Sequence, residues 1–387
     1  MILDEECAAI AGTVRARAWE RLEPHAAEID RTQAFSKPVW EELRSMGIFG
    51  LPFAPEAGGA GASTLAYIVA LEQVAYSCAV AALYPGTTVQ VAQALLAHAP
   101  EPVVARWVPR LVAGEVPAAW AFTEPQTGSD PRQLTTRARR DGDGWVLDGQ
   151  KMFISYAAEA AVALVFAVAE EKRVCAFVVD TAQPGWTVGP AAEVMAFGGT
   201  GARPVYLESV RAGAEDLIGG VGGGFDVMLA GEAVGKLRVS AINVGVAQRA
   251  LHEATAYALQ RTHRGTAIGA KFAGIQSLLA DMRAAVLAAR ALLYETARLH
   301  DDGADISARA AALRLVTGPA ARKVTSDAMQ VCGAYGMTRD LPVERLYREA
   351  KFYEVAQGSL ELQRVIVAKD VLRSYLPDTH SRWRLGE

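Results

Sequence analysis

Two stretches of this chain carry residue types that can do chemistry. The first is Trp120-Ala121-Phe122-Thr123-Glu124-Pro125-Gln126-Thr127-Gly128-Ser129-Asp130. A polar loop kinked by proline and glycine can turn backbone N–H groups and hydroxyls toward a flat heteroaromatic ring; the same composition also makes an ordinary surface turn. The second is Ala350-Lys351-Phe352-Tyr353-Glu354-Val355-Ala356-Gln357-Gly358-Ser359-Leu360-Glu361-Leu362-Gln363-Arg364. At its centre Gln357 is a primary amide, which has no useful basicity near neutral pH and so no acid–base role.

Three textures of sequence must position these stretches. Up to about residue 117 the pattern is helical, with Trp40, Leu43, Met46 and Ile48 at near-helical spacing and a glycine-rich turn from Pro55 to Gly61. From Ala118 to Gly222 alternating and β-branched runs such as Val162 to Phe166 and Val174 to Val179 predict a small antiparallel β unit. After Gly219-Gly220-Val221-Gly222-Gly223-Gly224 helical texture returns, in long stretches from Val244 to Thr262, Ile275 to His300 and Ile306 to Gln330. Long helices joined by short loops predict a bundle. The glycine run lacks a dinucleotide-fingerprint spacing and reads as a linker opening a helix.

Composition bounds the partners. The 387 residues are 51% apolar and 21% charged, with a formal charge of −4, which gives no electrostatic reason to expect nucleic acid or an anionic membrane. Cys7, Cys78, Cys175 and Cys332 match neither metal nor disulfide spacing, so no metal is expected and reduced thiols fit a cytoplasmic setting. The N-terminus shows no signal-peptide pattern, and the uncharged stretch from Gln73 to Pro100 is interrupted as a buried helical pair is, not as a membrane span is.

Thr123-Glu124-Pro125-x-x-Gly128-Ser129-Asp130 resembles the signature of the acyl-CoA dehydrogenases, and the Gln357 run resembles their closing motif without a gap. Further matches follow in order: Pro55 to Gly61, Gly149 to Ser155, Tyr206 to Arg211, Arg261, Gln330 to Gly336. The resemblance implies an α+β, mostly α fold: a helical N-terminal domain over 1–117, an antiparallel β middle domain over 118–222 and a C-terminal four-helix bundle over 223–387. It also implies a homotetramer or homodimer with FAD bound between subunits, an acyl thioester of CoA or acyl carrier protein as substrate, and electron-transfer flavoprotein as a candidate redox partner.

Carried over by position, the flavin would be held by Trp120, Phe122, Thr123, Gly128, Ser129, Phe153, Ile154 and Ser155, with Phe153 where the family usually has tryptophan. Arg261, Gln330, Gly333, Ala334, Ser359 and Glu361 would complete the cofactor contacts, Arg261 reaching a neighbouring subunit's pyrophosphate. Ser129, Lys236 and Ala356 fall on the substrate side, and Gln357 with Gly358 at the catalytic position.

Three departures matter as much. Arg264-Gly265 and Phe272-Ala273 differ from the family's usual residues near the cross-subunit contact. The third is the base: the family's glutamate is Gln357 here, and the alternative base position on the first C-terminal helix is Gly235. Glu232 and Glu354 are offset from these positions and read as solvated or salt-bridged. Three functions stay open: oxidation of an acyl thioester without the usual base; a specialised oxidase, monooxygenase or lyase of secondary metabolism; or a non-catalytic subunit pairing with an active homologue.

Overall fold

The computed structural model describes residues 3–128, 130 and 133–375. Six helices open the chain: α1 (Glu5–Arg21), α2 (Glu23–Thr32), α3 (Lys37–Ser45), α4 (Thr64–Ser77), α5 (Ala79–His98) and α6 (Glu101–Val112). Their starts are written locally, since the side chains of Asp4, Ser36 and Ser63 each accept a hydrogen bond from an N–H in the first turn of α1, α3 and α4. Helices α4 and α5 are apolar nearly all round and buried on nearly every side, as a central pair must be.

The strands follow: β1 (Ala118–Ala121), β2 (Arg137–Asp141), β3 (Gly144–Ile154), β4 (Val162–Val168), β5 (Val174–Asp180), β6 (Trp186–Val188), β7 (Arg203–Ala212) and β8 (Leu217–Ile218). They form one sheet in the order β6-β7-β3-β2-β4-β5-β8, with β1 also paired to β4. Alternate residues of β4 divide between two cores: Val162, Leu164 and Phe166 face the helices, whereas Ala163, Val165 and Ala167 face a separate cluster with Val205 and Leu207 of β7. Among the described residues most pairings are antiparallel, as expected, and two are parallel. β1 runs parallel to β4, and β2 touches β4 in the same sense at Arg137 and Val168. A parallel neighbour is reached only by a long crossover, here through the β2–β3 hairpin, and local alternation cannot announce it.

The chain then returns to helix: α7 (Gly224–Ala230), α8 (Glu232–Gln260), α9 (Ile268–Lys271), α10 (Ala273–Asp301), α11 (Ser307–Cys332), α12 (Val343–Val355) and α13 (Leu360–Tyr375). Between α8 and α9 the strands β9 (Thr262–His263) and β10 (Thr266–Ala267) make a hairpin. Arg264 and Gly265 fill its turn with φ of 51° and 77°, the left-handed pair of a type I′ turn. The bundle is locked to the first helices by polar bonds: Asp301 accepts from the N–H groups of Thr64 and Leu65, and Glu72 bonds both Arg290 and Tyr294. α8 packs against both α4 and α5. No helix among the described residues is long and apolar enough to cross a membrane. No metal-holding group of His, Cys, Asp or Glu occurs among them either.

Candidate active site

On the β side, the loop after β1 is fixed by a buried ion pair. Lys151 of β3 donates to Glu124 Oε1 at 2.8 Å, to the Phe122 carbonyl at 3.2 Å and to the Phe166 carbonyl at 2.5 Å. Glu124 also accepts from the N–H groups of Thr135 (2.7 Å) and Thr136 (3.0 Å). Burial raises the Glu124 carboxyl, but the Lys151 charge and these hydrogen bonds outweigh it and hold the group well below the usual carboxylate range. The pair thus stays ionised and pins residues 122–127 to the strand that carries the next site residues.

On that strand the pairing with β7 slips between Lys151 and Ile154, a bulge at which Phe153 takes a φ of 57°. The bulge throws the Phe153 ring outward, 57% exposed, while the Ile154 side chain turns into the sheet core. Met152 N–H donates to the Thr123 carbonyl at 2.8 Å, so Thr123, Phe153 and Ser155 share one edge. Trp120 and Phe122 lie partly buried on it, both against Phe166. Gly128 is exposed at the loop's end. Ser129 lies outside the described residues.

On the bundle side, α12 ends at Val355, where the last turn leaves carbonyls without helical partners, that of buried Tyr353 among them. Arg314 of α11, fully buried, meets them: its guanidinium donates to the carbonyls of Tyr353 (2.6 Å), Ala356 (3.1 Å) and Gln357 (2.9 Å). Gripped in this way, Gln357 has a φ of 55° and Gly358 a φ of 78°. The left-handed glutamine stores strain that the surroundings must hold, whereas Gly358 adopts that region freely. A side chain at Gly358 would also meet Gln363 Nε2 at 2.9 Å, so glycine is required there. Among the described residues the Gln357 N–H donates to no protein acceptor.

A Cβ on Gly235 of α8 would stand 3.7 Å from Gln357 Oε1 and 3.6 Å from Arg238 Nη2. The structure therefore brings the two positions singled out in the sequence to one point, and neither holds an acid. Glu232 faces Lys236 at 3.5 Å, and Glu354 is held by Arg322 (2.7 Å) and Lys351 (2.6 Å). Lys236 is itself buried beside the site, and Ala356 lies half-buried next to Gln357. Ser359 caps α13 by accepting from Leu362 N–H, whereas Glu361 is exposed and paired with Arg364.

Arg261, Gln330, Gly333 and Ala334 gather elsewhere. They are exposed around the far end of α8, where the rings of Tyr257 and Tyr335 meet at a tilt of 49° with centroids 6.4 Å apart. Lys236 and Arg261 sit near opposite ends of one straight helix, roughly 38 Å apart at 1.5 Å per residue. Sequence reasoning missed Arg314, Arg238 and the Glu124–Lys151 clamp. The signal for the two arginines was a charge inside an otherwise apolar helical stretch.

The whole length of the chain has recognisable relatives. Family models match it as the acyl-CoA dehydrogenase N-terminal domain over residues 4–115, the middle domain over 119–210 and the C-terminal domain over 222–372. It is 34% identical over 376 residues to the probable acyl-CoA dehydrogenase FadE25 of Mycobacterium tuberculosis (strain ATCC 25618 / H37Rv), covering 96% of each chain. It is 31% identical over 378 residues to the 3-(aryl)acrylate reductase of Clostridium sporogenes (strain ATCC 15579), covering 96% of this chain and 100% of that one. The structure of butyryl-CoA dehydrogenase from Megasphaera elsdenii superposes with a TM-score of 0.93 at 29% identity, covering 96% of this chain and 100% of that one. With its three domains matched in order and relatives more than 30% identical over nearly its whole length, the chain belongs to the acyl-CoA dehydrogenase family.

Proposed function

We propose that this protein is an FAD-dependent oxidoreductase of acyl thioesters, on CoA or a carrier protein, that works without a carboxylate at the reacting carbon. FAD is the cofactor, and the residues present fit it. Phe153 offers an exposed ring face on a rigid bulge, and the hydroxyls of Thr123 and Ser155 form no hydrogen bond to protein among the described residues. Arg261, Gln330, Gly333 and Ala334 would hold its other end. That group lies at the far end of α8 from Gly235 and Lys236, and the reading places it on the FAD of a neighbouring subunit in a homodimer or homotetramer. When bound, FAD supplies the hydride acceptor.

The chain's own residues do the rest. The free N–H of Gln357 is the donor for the thioester carbonyl, and the Arg314 grip keeps it aimed. The Gln357 side chain orients the acyl group and takes no proton. Lys236 supplies a cation toward the thioester's carrier end, and Ala356 leaves room beside the reacting carbons. The observation that carries the reading is the 3.7 Å between Gln357 Oε1 and the Gly235 Cβ position, an amide where two routes to a base converge. Electron-transfer flavoprotein as acceptor and a cytoplasmic location complete the proposal.

A second reading, a specialised oxidase, monooxygenase or lyase on the same frame, is favoured by the engagement of Glu232 and Glu354 in ion pairs that leave neither free to serve. The test common to both is the absorption spectrum of purified protein after FAD loading, followed by anaerobic titration with acyl-CoAs. Flavin bands that shift on thioester addition support binding. A protein that takes up no FAD refutes both readings, and slow bleaching under anaerobic conditions separates oxidation from lyase chemistry.

A further inference from the structure

Arg238 lies on α8 one turn beyond Gly235 and is only 4% exposed. Its Nη2 donates to Gln90 Oε1 of α5 at 3.3 Å, and its Nη1 is buried without a hydrogen-bond partner. No carboxylate pairs with it among the described residues: Glu232, the acid whose charge reaches it, faces Lys236. Two hydroxyls lie nearby: that of Tyr67 of α4 sits against the guanidinium, and that of Tyr353 of α12 is buried without a partner. Nη2 stands 3.6 Å from the Gly235 Cβ position that Gln357 Oε1 approaches to 3.7 Å, so guanidinium and amide are no more than about 7 Å apart. Beside the Gln357 side chain there is thus a buried guanidinium that meets no anion among the described residues.

A buried guanidinium keeps its charge and is costly unless something anionic meets it, whereas a plain alkyl chain would leave it unpaired. We propose that the acyl group ends in a carboxylate, which Arg238 binds with help from the Tyr67 and Tyr353 hydroxyls. The short separation from Gln357 makes the substrate the thioester of a small diacid. This rests on the thioester reading above and narrows it.

The test is titration calorimetry of FAD-loaded protein with succinyl and butyryl thioesters, each on CoA and on pantetheine, matched in chain length and different in the terminal charge. The succinyl thioesters are expected to bind at least about tenfold more tightly. Arg238→Met removes that preference and Arg238→Lys keeps part of it. Succinyl-CoA raises the melting temperature of the wild-type protein and not that of Arg238→Met. Equal or tighter binding of butyryl thioesters by the wild-type protein overturns the inference, as does a preference that survives in Arg238→Met. If that variant does not fold, the wild-type preference decides alone. Binding of neither thioester to the FAD-loaded wild-type protein defeats the thioester reading itself, and this inference with it.

Discussion

Arg314→Met removes a buried charge that meets no acid and instead collects the carbonyls of the loop around Gln357. Burial pulls its pKa down to about 10, so it is protonated throughout the working range and the variant's effect is independent of pH near neutrality. Of its acceptors, the carbonyls of Ala356 and Gln357 lie where water can reach them, but Tyr353 is buried. The uncompensated loss is therefore about one buried carbonyl, ~1–3 kcal/mol, partly offset because the guanidinium no longer has to be desolvated. We expect about 2 kcal/mol less stability by urea unfolding of the FAD-loaded protein. The larger effect is on the site. The left-handed backbone of Gln357 costs ~1–3 kcal/mol to hold, and without the grip it relaxes and swings its N–H away. Thioester affinity, read from the shift of the flavin bands, should fall about tenfold to a hundredfold while FAD is retained. A variant that loses stability yet binds the thioester within about twofold of wild type refutes the reasoning and reduces Arg314 to a helix cap.

Lys151→Met leaves the Glu124 carboxylate buried without its cation and should cost on the order of 3–5 kcal/mol in chemical denaturation, with FAD retention lost as the 122–127 loop loosens. Adding Glu124→Leu should restore most of the stability, and failure to do so contradicts the clamp. Glu349 of α12 is buried near Arg345, Arg348, Asp30 and Glu344, and burial raises its carboxyl from 4.5 to about 7, Arg345 opposing. The folded state then holds this proton more tightly than the unfolded chain does, so its contribution is full below about 4.5 and is lost as pH rises through about 7, by on the order of 3 kcal/mol. Glu349→Gln should flatten the stability profile across that window, and an unchanged slope assigns the pH dependence elsewhere.

Much of this fold is legible in the sequence because its signals are local. The glycine run at 219–224 announced the start of α7, and the uncharged stretch from Gln73 to Pro100 is buried helix as expected, though it holds the end of α4 and the single helix α5, which runs through Pro85. The Gln357 loop was found as a motif, and its neighbour Gly235 by counting back along one helix. What stayed hidden depends on distant partners. Arg314 bonds a carbonyl 43 residues away, and Arg238 bonds a side chain 148 residues away, so the apolar stretch around each marks it as buried but does not tell what it meets. The parallel pairing of β1 with β4 is likewise decided by the crossover and not by either strand. The bulge at Phe153 was legible only as a residue type, since its exposure comes from the register slip with β7.

Restoring the acid at one position tests the central claim most directly. FAD-loaded wild-type protein and Gln357→Glu are mixed anaerobically with butyryl-CoA and succinyl-CoA, and bleaching of the flavin band is followed by stopped flow. A carboxylate general base is worth ~10²- to 10⁴-fold, so the account predicts that bleaching accelerates by that factor in Gln357→Glu. Wild-type protein that bleaches as fast as the variant would show that some other group already removes the α-proton, and would contradict it.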